Sequence, residues 1–433
     1  MQFLALSLTR RDALAGCLLT LMIAASIMPG ASLLPAGILG WSAALLLSYR
    51  LGQRQRIQTG WLIGLGVAGI VWGALHGVPL NPSQILAGNQ GLVSLLAAVS
   101  FLRLVTCPDA ATPDAVPPQG RKALWRTLIG VHLFGAVINL STVVILGDRM
   151  TAYGRLGKRQ ALVLSRGFAA AAFWSPFFSA MAAALTYAPG AKLGIVILAG
   201  LPMAVLSLWL TTREIGPDHP RFDAPFIGYP MNFSALWIPG LLVVIVLTLH
   251  ALIAHWSILA IIALSAPLLT AAILLARESW NAGASLRAHV MQGLASMVNE
   301  LALFLAAGLT SLTYTMSDWL PFDHFGPLQA SLLLTVMVGI ATLGVHPVIS
   351  IAVSGVWLAP LHAEPNLLAI TLLMAWAIGV PANPLSGLHL MMQGRYGIDG
   401  YVFLYWNRFY VLKCLGTGTA LLYVYGALLD ISI

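Results

Sequence analysis

The stretch RKALWRTLIGVHLFGAVINLSTVVILGDRMTAYGRLGKR, residues 121–159, decides the fold. Its middle part, residues 127–147, is apolar, whereas both of its ends carry Lys and Arg. Basic residues beside a membrane segment mark its cytoplasmic end. Because a single crossing cannot have both ends in the cytoplasm, the pattern predicts a re-entrant hairpin. Its tip is expected at Asn139 to Thr142, where protein or a water-filled cavity must satisfy the non-helical backbone.

The composition is that of a membrane protein. Of the 433 residues, 59% are hydrophobic and only 8% are charged, against about 25% charged residues in soluble domains. Apolar runs of about 20 residues, the length that crosses a bilayer, predict an all-α polytopic membrane protein with about eleven transmembrane helices and two re-entrant hairpins. The net charge of +8 is typical of basic cytoplasmic loops, so the lipid bilayer is an expected partner and nucleic acid is not.

A second hairpin is predicted at residues 327–361. This stretch is apolar and has no Lys or Arg beside either end, while Asp323 precedes it and Glu364 follows it. Both ends are therefore expected outside the cytoplasm. The hairpin is expected to enter the membrane from the opposite face, with its tip between Gly344 and Ser350.

Each predicted hairpin is followed by a crossing with a polar interruption. The crossing at 161–187 contains FWSPFFS (173–179), and the crossing at 366–391 contains VPANPLSG (380–387). Proline removes a backbone donor and breaks a helix. Because an odd number of crossings separates the equivalent elements, the second half is predicted to be inverted relative to the first. Inverted repeats with broken helices are typical of secondary transporters.

The repeat predicts the organisation of the whole chain. The predicted segments are an N-terminal helix (1–30), inverted repeat 1 (31–212), a cytoplasmic interfacial linker (213–234) and inverted repeat 2 (235–433). The N-terminus is expected in the cytoplasm and the C-terminus on the extracytoplasmic side of a bacterial-type inner membrane. On this topology every Lys and Arg except Lys192 lies at a cytoplasmic position, and none is expected in the core.

The tips and interruptions supply the candidate binding site. A helix broken within the membrane frees backbone groups: the N-terminal ends of half-helices attract an anion, and freed carbonyls can hold a cation. The candidate substrate-binding or ion-binding residues are Asn139, Ser141, Thr142, Ser175, Pro176, Ser179, Gly344, His346, Ser350, Asn383, Ser386 and Gly387. A purely structural interpretation is also open, because small polar residues cap and pack membrane helices and proline kinks them.

Glu300 and His346 are the candidates for proton coupling. Glu300 is the only carboxylate inside a predicted apolar span, residues 290–313. Ionisable residues in such positions face a cavity, pair with another group or carry protons. In the alternative interpretation this span begins later and leaves Glu300 at the cytoplasmic surface. His132 and His389 are further candidates, but the hydrogen-bonded packing interpretation is favoured for each.

The order of these elements resembles the ion transporter superfamily, which includes the divalent-anion/sodium symporters. The resemblance covers nearly the whole chain and is one of topology, with a hairpin before each broken crossing. The symporters carry Ser-Asn-Thr at each hairpin and broken helix. Asn139, Ser141 and Thr142 offer these residue types in another order, and Asn383, Pro384 and Ser386 offer a partial match. The resemblance implies elevator-type alternating access and a homodimer.

The sequence therefore predicts a secondary transporter rather than an enzyme. It is expected to move a small solute, an organic or inorganic anion, coupled to H⁺ or Na⁺, with no cofactor and no metal site. Two alternatives stay open. One is an intramembrane enzyme that transfers an acyl or glycosyl group on a lipid-linked substrate, with His346 as its candidate catalytic residue, and the other is a structural or assembly subunit. The paired helix breaks favour the transporter, because an elevator needs both of them.

Overall fold

The computed structural model of the protein describes residues 2–28, 32–77, 79, 81–106, 117–152, 154–216, 225–229, 231, 236–253, 255–310 and 322–431. These residues form helices and no β-strand, with one isolated bridge between Gln119 and Ile227. Most of the predicted linker at 213–234 lies outside the described residues.

The first part of the chain forms six helices: α1 (Gln2–Ile27), α2 (Leu34–Leu47), α3 (Gln53–Leu75), α4 (Pro82–Ala87), α5 (Gln90–Val99) and α6 (Arg103–Thr106). Local sequence explains where α4 begins, because the Asn81 side chain accepts hydrogen bonds from the backbone of Ser83 and Gln84. Asn is among the residues that best satisfy the free N–H groups of a helix start. Asp12 of α1 pairs with Arg50, which follows α2.

The next five helices are α7 (Gly120–Ile138), α8 (Ser141–Thr151), α9 (Lys158–Ala171), α10 (Ser179–Tyr187) and α11 (Leu193–Ile215). The helices α7 and α8 occupy the predicted first hairpin and are separated by residues 139–140, the first tip. The helices α9 and α10 occupy the first interrupted crossing and are separated by residues 172–178, the first break. Pro176 lies in this break and has no N–H to continue the helical ladder.

Four helices follow: α12 (Trp237–Leu252), α13 (Ile258–Glu278), α14 (Ala282–Ala288) and α15 (Val298–Thr310). Between α14 and α15 the backbone stays helical but changes its period, with a π-helical turn at His289–Gly293 and a 3₁₀ turn at Leu294–Met297. Glu300 lies in the first turn of α15, directly after this irregular stretch.

The last five helices are α16 (Pro327–Thr342), α17 (Pro347–Leu358), α18 (Pro365–Ala382), α19 (Gly387–Tyr396) and α20 (Gly400–Leu428). Residues 343–346, the second tip, separate α16 from α17, and residues 383–386, the second break, separate α18 from α19. The last helix begins eight residues before the predicted span at 408–430. The Asp399 side chain accepts a hydrogen bond from the backbone of Tyr401, so it caps α20 at this earlier position.

Six helical segments of the described residues are long and apolar enough to cross a bilayer. They are Gln53–Leu75, Pro82–Thr106, Leu193–Ile215, Ile258–Leu309, Pro365–Tyr396 and Gly400–Leu428. These segments confirm the predicted class, an α-helical multi-pass membrane protein. The eleven crossings and their inverted arrangement stay predictions.

The chain divides into two compact units. Unit 1 consists of Met1–Cys107, Trp237–Asp318 and Gly355–Trp357, and unit 2 of Pro108–Leu236, Trp319–Ser354 and Leu358–Ile433. In unit 1 two glycines allow the backbone to pack closely. A Cβ atom added to either Gly88 or Gly308 would lie less than 3 Å from the backbone of the other. Both tips and both breaks belong to unit 2.

Candidate functional site

Each tip is hydrogen-bonded to the break of its own half through an asparagine amide. Asn139 of the first tip donates from Nδ2 to the Phe177 carbonyl of the first break at 3.2 Å. Asn383 of the second break donates from Nδ2 to the Val345 carbonyl of the second tip at 2.8 Å. Donor and acceptor are 38 residues apart in both cases. Two predicted site residues therefore hold the tips against the breaks.

The first tip depends on an unusual backbone conformation at Asn139. Its φ is +50°, and Asn is one of the few non-glycine residues found with positive φ. The Asn139 carbonyl accepts from the Thr142 backbone N–H at 3.0 Å. Ser141 is partly exposed, whereas Thr142 is 1% exposed, and its hydroxyl has no hydrogen-bond partner among the described residues. A buried hydroxyl without a partner is uncommon in proteins and makes Thr142 a candidate ligand group.

Ser175 joins the first break to α7. Its hydroxyl donates to the Ala136 carbonyl at 2.5 Å and accepts from the Phe177 backbone N–H at 3.2 Å. Ser175 is fully buried, and its neighbour Pro176 is buried as well. Ser179 is partly exposed and is the first residue of α10. Of these three predicted site residues, Ser175 has a structural role in the break, and Ser179 is the one that stays accessible.

The second tip turns at Gly344, whose φ is +93°. A Cβ at this position would lie 2.7 Å from the Leu385 side chain, so only glycine fits between the second tip and the second break. His346 is partly exposed and Ser350 is buried one turn into α17. The second tip and the second break therefore meet through Gly344 as well as through Asn383.

His346 presents one ring nitrogen as a hydrogen-bond donor. Its Nδ1 accepts from the Val348 backbone N–H at 3.2 Å, so the neutral ring carries its proton on Nε2. The ring lies edge to face against Trp376, with centroids 5.3 Å apart. The indole fixes the direction of the ring, and the Nε2–H group is suited to a carboxylate or another anion.

The second break is tied together by its own side chains. Asn383 is fully buried, and its Oδ1 accepts from the Leu385 backbone N–H at 2.8 Å. Ser386 caps α19 by accepting from the backbone N–H of His389 at 3.2 Å. Gly387, the first residue of α19, is exposed, and a Cβ placed on it would meet no described atom within 4 Å.

Arg166 corrects the expectation that no Lys or Arg lies in the core. It is 1% exposed in the interior of α9. Its guanidinium donates to Glu214 Oε2 at 2.8 Å, Asn407 Oδ1 at 2.8 Å and the Trp406 carbonyl at 3.2 Å, and it lies 4.3 Å from the centre of the Tyr410 ring. A buried charge with this many hydrogen-bond partners is compensated. Arg166 can therefore be buried within α9, although basic residues beside a membrane segment are expected at its cytoplasmic end.

His389 and Ser165 form a buried pair that the sequence did not indicate. The Ser165 hydroxyl lies 2.9 Å from His389 Nε2, and His389 Nδ1 lies 2.7 Å from the Asn383 carbonyl. This arrangement is of the kind that activates a serine nucleophile. Both side chains are fully buried, however, which argues against access of a substrate to the hydroxyl. His389 is already a candidate from its position in the second interrupted crossing, but its pairing with Ser165, 224 residues away, leaves no local signal in the sequence.

Two further candidates differ from the tips and breaks in their surroundings. His132 uses both ring nitrogens: Nε2 accepts from the Trp174 indole at 3.0 Å, and Nδ1 lies 3.3 Å from the Gly167 carbonyl. It is therefore a packing residue. Glu300 is partly exposed and belongs to unit 1, whereas the twelve predicted binding residues belong to unit 2.

An ion pair joins α8 to α19 at the edge of unit 2. Arg395 donates to both oxygens of Asp148, at 2.6 and 2.5 Å, and the Tyr396 hydroxyl donates to the Val144 carbonyl at 3.0 Å. The hydrogen bonds from Arg395 hold the pKa of Asp148 below its usual value. The first helix pair and the second broken helix are thus linked across the two halves of the sequence.

No protein-family model and no curated protein matches this chain.

Proposed function

We propose that the protein is a secondary active transporter that moves a small anion across the membrane. The observation that carries the proposal is the pairing of each tip with a break by Asn139 and Asn383 within one compact unit. Where a helix break lies beside a tip, its backbone N–H groups are surrounded by protein and not by lipid. Transporters bind their substrates at such discontinuous helices.

The chemistry of the exposed groups favours an anion. The helices α8, α10 and α19 each begin at a tip or a break, and the N-terminal end of a helix carries partial positive charge. His346 adds a donor at Nε2, and Thr142 adds a buried hydroxyl without a partner among the described residues. A carboxylate or a small inorganic anion would satisfy these donors.

The remaining features of the proposal follow from the predicted topology. We place the protein in a bacterial-type inner membrane, with the N-terminus in the cytoplasm and the C-terminus outside. Transport occurs by elevator-type alternating access in a homodimer built on two inverted repeats. The coupling ion is H⁺ or Na⁺, and Glu300 and His346 are the candidate proton-coupling residues.

The test is solute flux in proteoliposomes. A thermal-shift screen of small carboxylates and inorganic anions, with and without sodium and at two pH values, selects the solute. Its uptake is then measured under a proton or sodium gradient for the wild type, Asn139→Ala and Asn383→Ala. Each variant is expected to lower the uptake rate by at least about tenfold, because each releases a tip from its break; tenfold corresponds to ~1.4 kcal/mol.

Asn366→Ala is the matched control. Asn366 is buried in the same unit and accepts from the Lys192 backbone N–H at 2.7 Å, but it lies at neither a tip nor a break. We expect this variant to lose stability as the other two do and to keep its uptake rate. Normal uptake by both Asn139→Ala and Asn383→Ala would rule out the proposed site.

A further inference from the structure

Three carbonyl groups at the second break, those of Val380, Pro381 and Asn383, are hydrogen-bonded to protein donors. The Pro381 carbonyl accepts from Asn407 Nδ2 at 2.8 Å, and the Asn383 carbonyl lies 2.7 Å from His389 Nδ1. The Val380 carbonyl accepts from the Asn383 backbone N–H at 3.3 Å. Carbonyl oxygens are the groups with which a helix break would hold a cation. At this break the Val380, Pro381 and Asn383 carbonyls are already hydrogen-bonded.

The Asn407 amide can take only one orientation. Arg166 Nε lies 2.8 Å from Asn407 Oδ1, and a guanidinium donates but never accepts. The other end of the amide, Nδ2, must therefore face the Pro381 carbonyl. Asn407 is fully buried, and Glu214 holds Arg166 in place. The donor to Pro381 is consequently fixed by a network of charged and buried groups.

The His389 ring is fixed in the same way. A carbonyl oxygen only accepts, so Nδ1 carries the proton that it donates to Asn383. In the neutral ring Nε2 is then an acceptor, and the Ser165 hydroxyl donates to it at 2.9 Å. The ring stacks on Phe403, with centroids 4.0 Å apart and planes inclined by 11°. Stacking and the two hydrogen bonds prevent the ring from turning away from the carbonyl.

The donors of the second break remain available. Ser386 caps the N–H of His389, while the backbone N–H groups of Gly387 and Leu388 make no hydrogen bond to a described residue. Gly387 is exposed. The Gly387 and Leu388 N–H groups are therefore donors for an anion, whereas the Pro381 and Asn383 carbonyls are no longer acceptors for a cation.

We propose that His389 and Asn407 are specificity-determining residues, which make the second break selective for anions by occupying the Asn383 and Pro381 carbonyls. This inference rests on the proposed transport function and assigns its preference for an anion to two residues beside the second break. Of the two proposed coupling ions it selects H⁺, so that no Na⁺ site is expected in the wild type.

The experiment measures the melting temperature of the purified full-length protein in sodium chloride and in choline chloride at equal ionic strength. Asn407→Asp keeps the size of the side chain but replaces the donor to Pro381 by an acceptor. His389→Leu removes the donor to Asn383, whereas His389→Asn keeps a donor near the position of Nδ1. Ser207→Ala is the control for loss of a buried hydrogen bond. The Ser207 and Tyr410 hydroxyls lie 2.6 Å apart, and neither residue belongs to a break.

The wild type, His389→Asn and Ser207→Ala are expected to melt at the same temperature in both salts. Sodium is expected to raise the melting temperature of Asn407→Asp and His389→Leu by at least ~2 °C, a shift that one bound ion can produce in a protein of this size. A sodium-specific stabilisation of the wild type would overturn the proposal whether or not the variants fold. Folded Asn407→Asp and His389→Leu that both ignore sodium would overturn it as well. These melting temperatures are measured without a transport assay. If they depend on sodium as expected but no solute transport is found, only the proposed function is rejected.

Discussion

Arg166 shows at the scale of one residue how this protein buries a charge. An isolated guanidinium would be very costly in the interior, and its cost is offset only when its donors are satisfied. Glu214 neutralises it, and Lys413 Nζ in turn lies 2.9 Å from the other oxygen of Glu214. Arg166 therefore serves to hold α9 to α11 and α20 and to orient Asn407, and its charge is not available to a substrate.

Replacing Arg166 should destabilise the protein. Arg166→Met leaves Glu214 and Asn407 without their shared donor, and we expect a loss in the free energy of unfolding on the order of 3 kcal/mol. The measurement is the unfolding midpoint in detergent with increasing denaturant. Arg213→Met is the control, because Arg213 is exposed on α11 and its loss should change the midpoint little. Equal midpoints for Arg166→Met and the wild type would contradict this account of the network.

The ionisation of Asp148 is expected to make the stability of the fold depend on pH. Hydrogen bonds from Arg395 lower its pKa in the folded protein, so the folded state is favoured while Asp148 is ionised. The stabilisation is fully present above the unfolded pKa, about 3.9, and is lost as the pH falls through the lower folded value. Both side chains are well exposed, 40% for Asp148 and 51% for Arg395, so solvent screens the pair and the effect is small.

We therefore expect Asp148→Asn to melt slightly below the wild type at neutral pH. The difference should begin to shrink as the pH falls below about 3.9 and should vanish below the lower folded pKa, where the folded wild-type carboxylate is protonated as well. Melting curves over a pH series measure this directly. A difference that grows in acid would show that Asp148 does not stabilise the fold through its ionised form.

At the scale of elements, α11 packs closely against the first break. The Phe173 carbonyl oxygen occupies the place that a Cβ atom on Gly200 would take. Gly194, on the same helix, has nothing within 4 Å of its Cβ position. The first break lies against Gly200 and not against Gly194.

Alanine at these two positions should have opposite effects. Gly194→Ala is expected to raise stability by about 0.5–1 kcal/mol, because alanine is the better helix former. Gly200→Ala must push the Phe173 carbonyl and is expected to lower both the melting temperature and the solute flux. Thermal melts and proteoliposome uptake test the pair, and equal behaviour of the two variants would contradict close packing of α11 on the first break.

The sequence located most of these elements but not their partners. Proline, asparagine and glycine at the tips and breaks, together with the charges that flank them, leave local patterns that can be recognised along the chain. The contacts of Arg166 with Asn407 and of Ser165 with His389 join residues 241 and 224 positions apart. Such pairs leave no local pattern, so the buried guanidinium and the occupied carbonyls become visible only in three dimensions.

At the scale of the whole molecule, the compact units do not follow the order of the chain. The predicted repeats are 31–212 and 235–433, yet each unit takes segments from both. Unit 2 collects the two tips and the two breaks. This distribution is the one expected when each repeat contributes equivalent elements to a shared binding region, and the inverted relation of the two repeats stays a proposal.

The most direct test of the inverted architecture is cysteine labelling of the two open ends of the helix pairs. Ala152, beyond α8, and Asp323, before α16, are both exposed. In a variant whose native cysteines are replaced, each is changed singly to cysteine and treated with a membrane-impermeant maleimide in right-side-out and inside-out vesicles. The account predicts that Ala152→Cys reacts only from the cytoplasmic side and Asp323→Cys only from the opposite side. Reaction of both from the same side would contradict the inverted repeats and, with them, the proposed transporter.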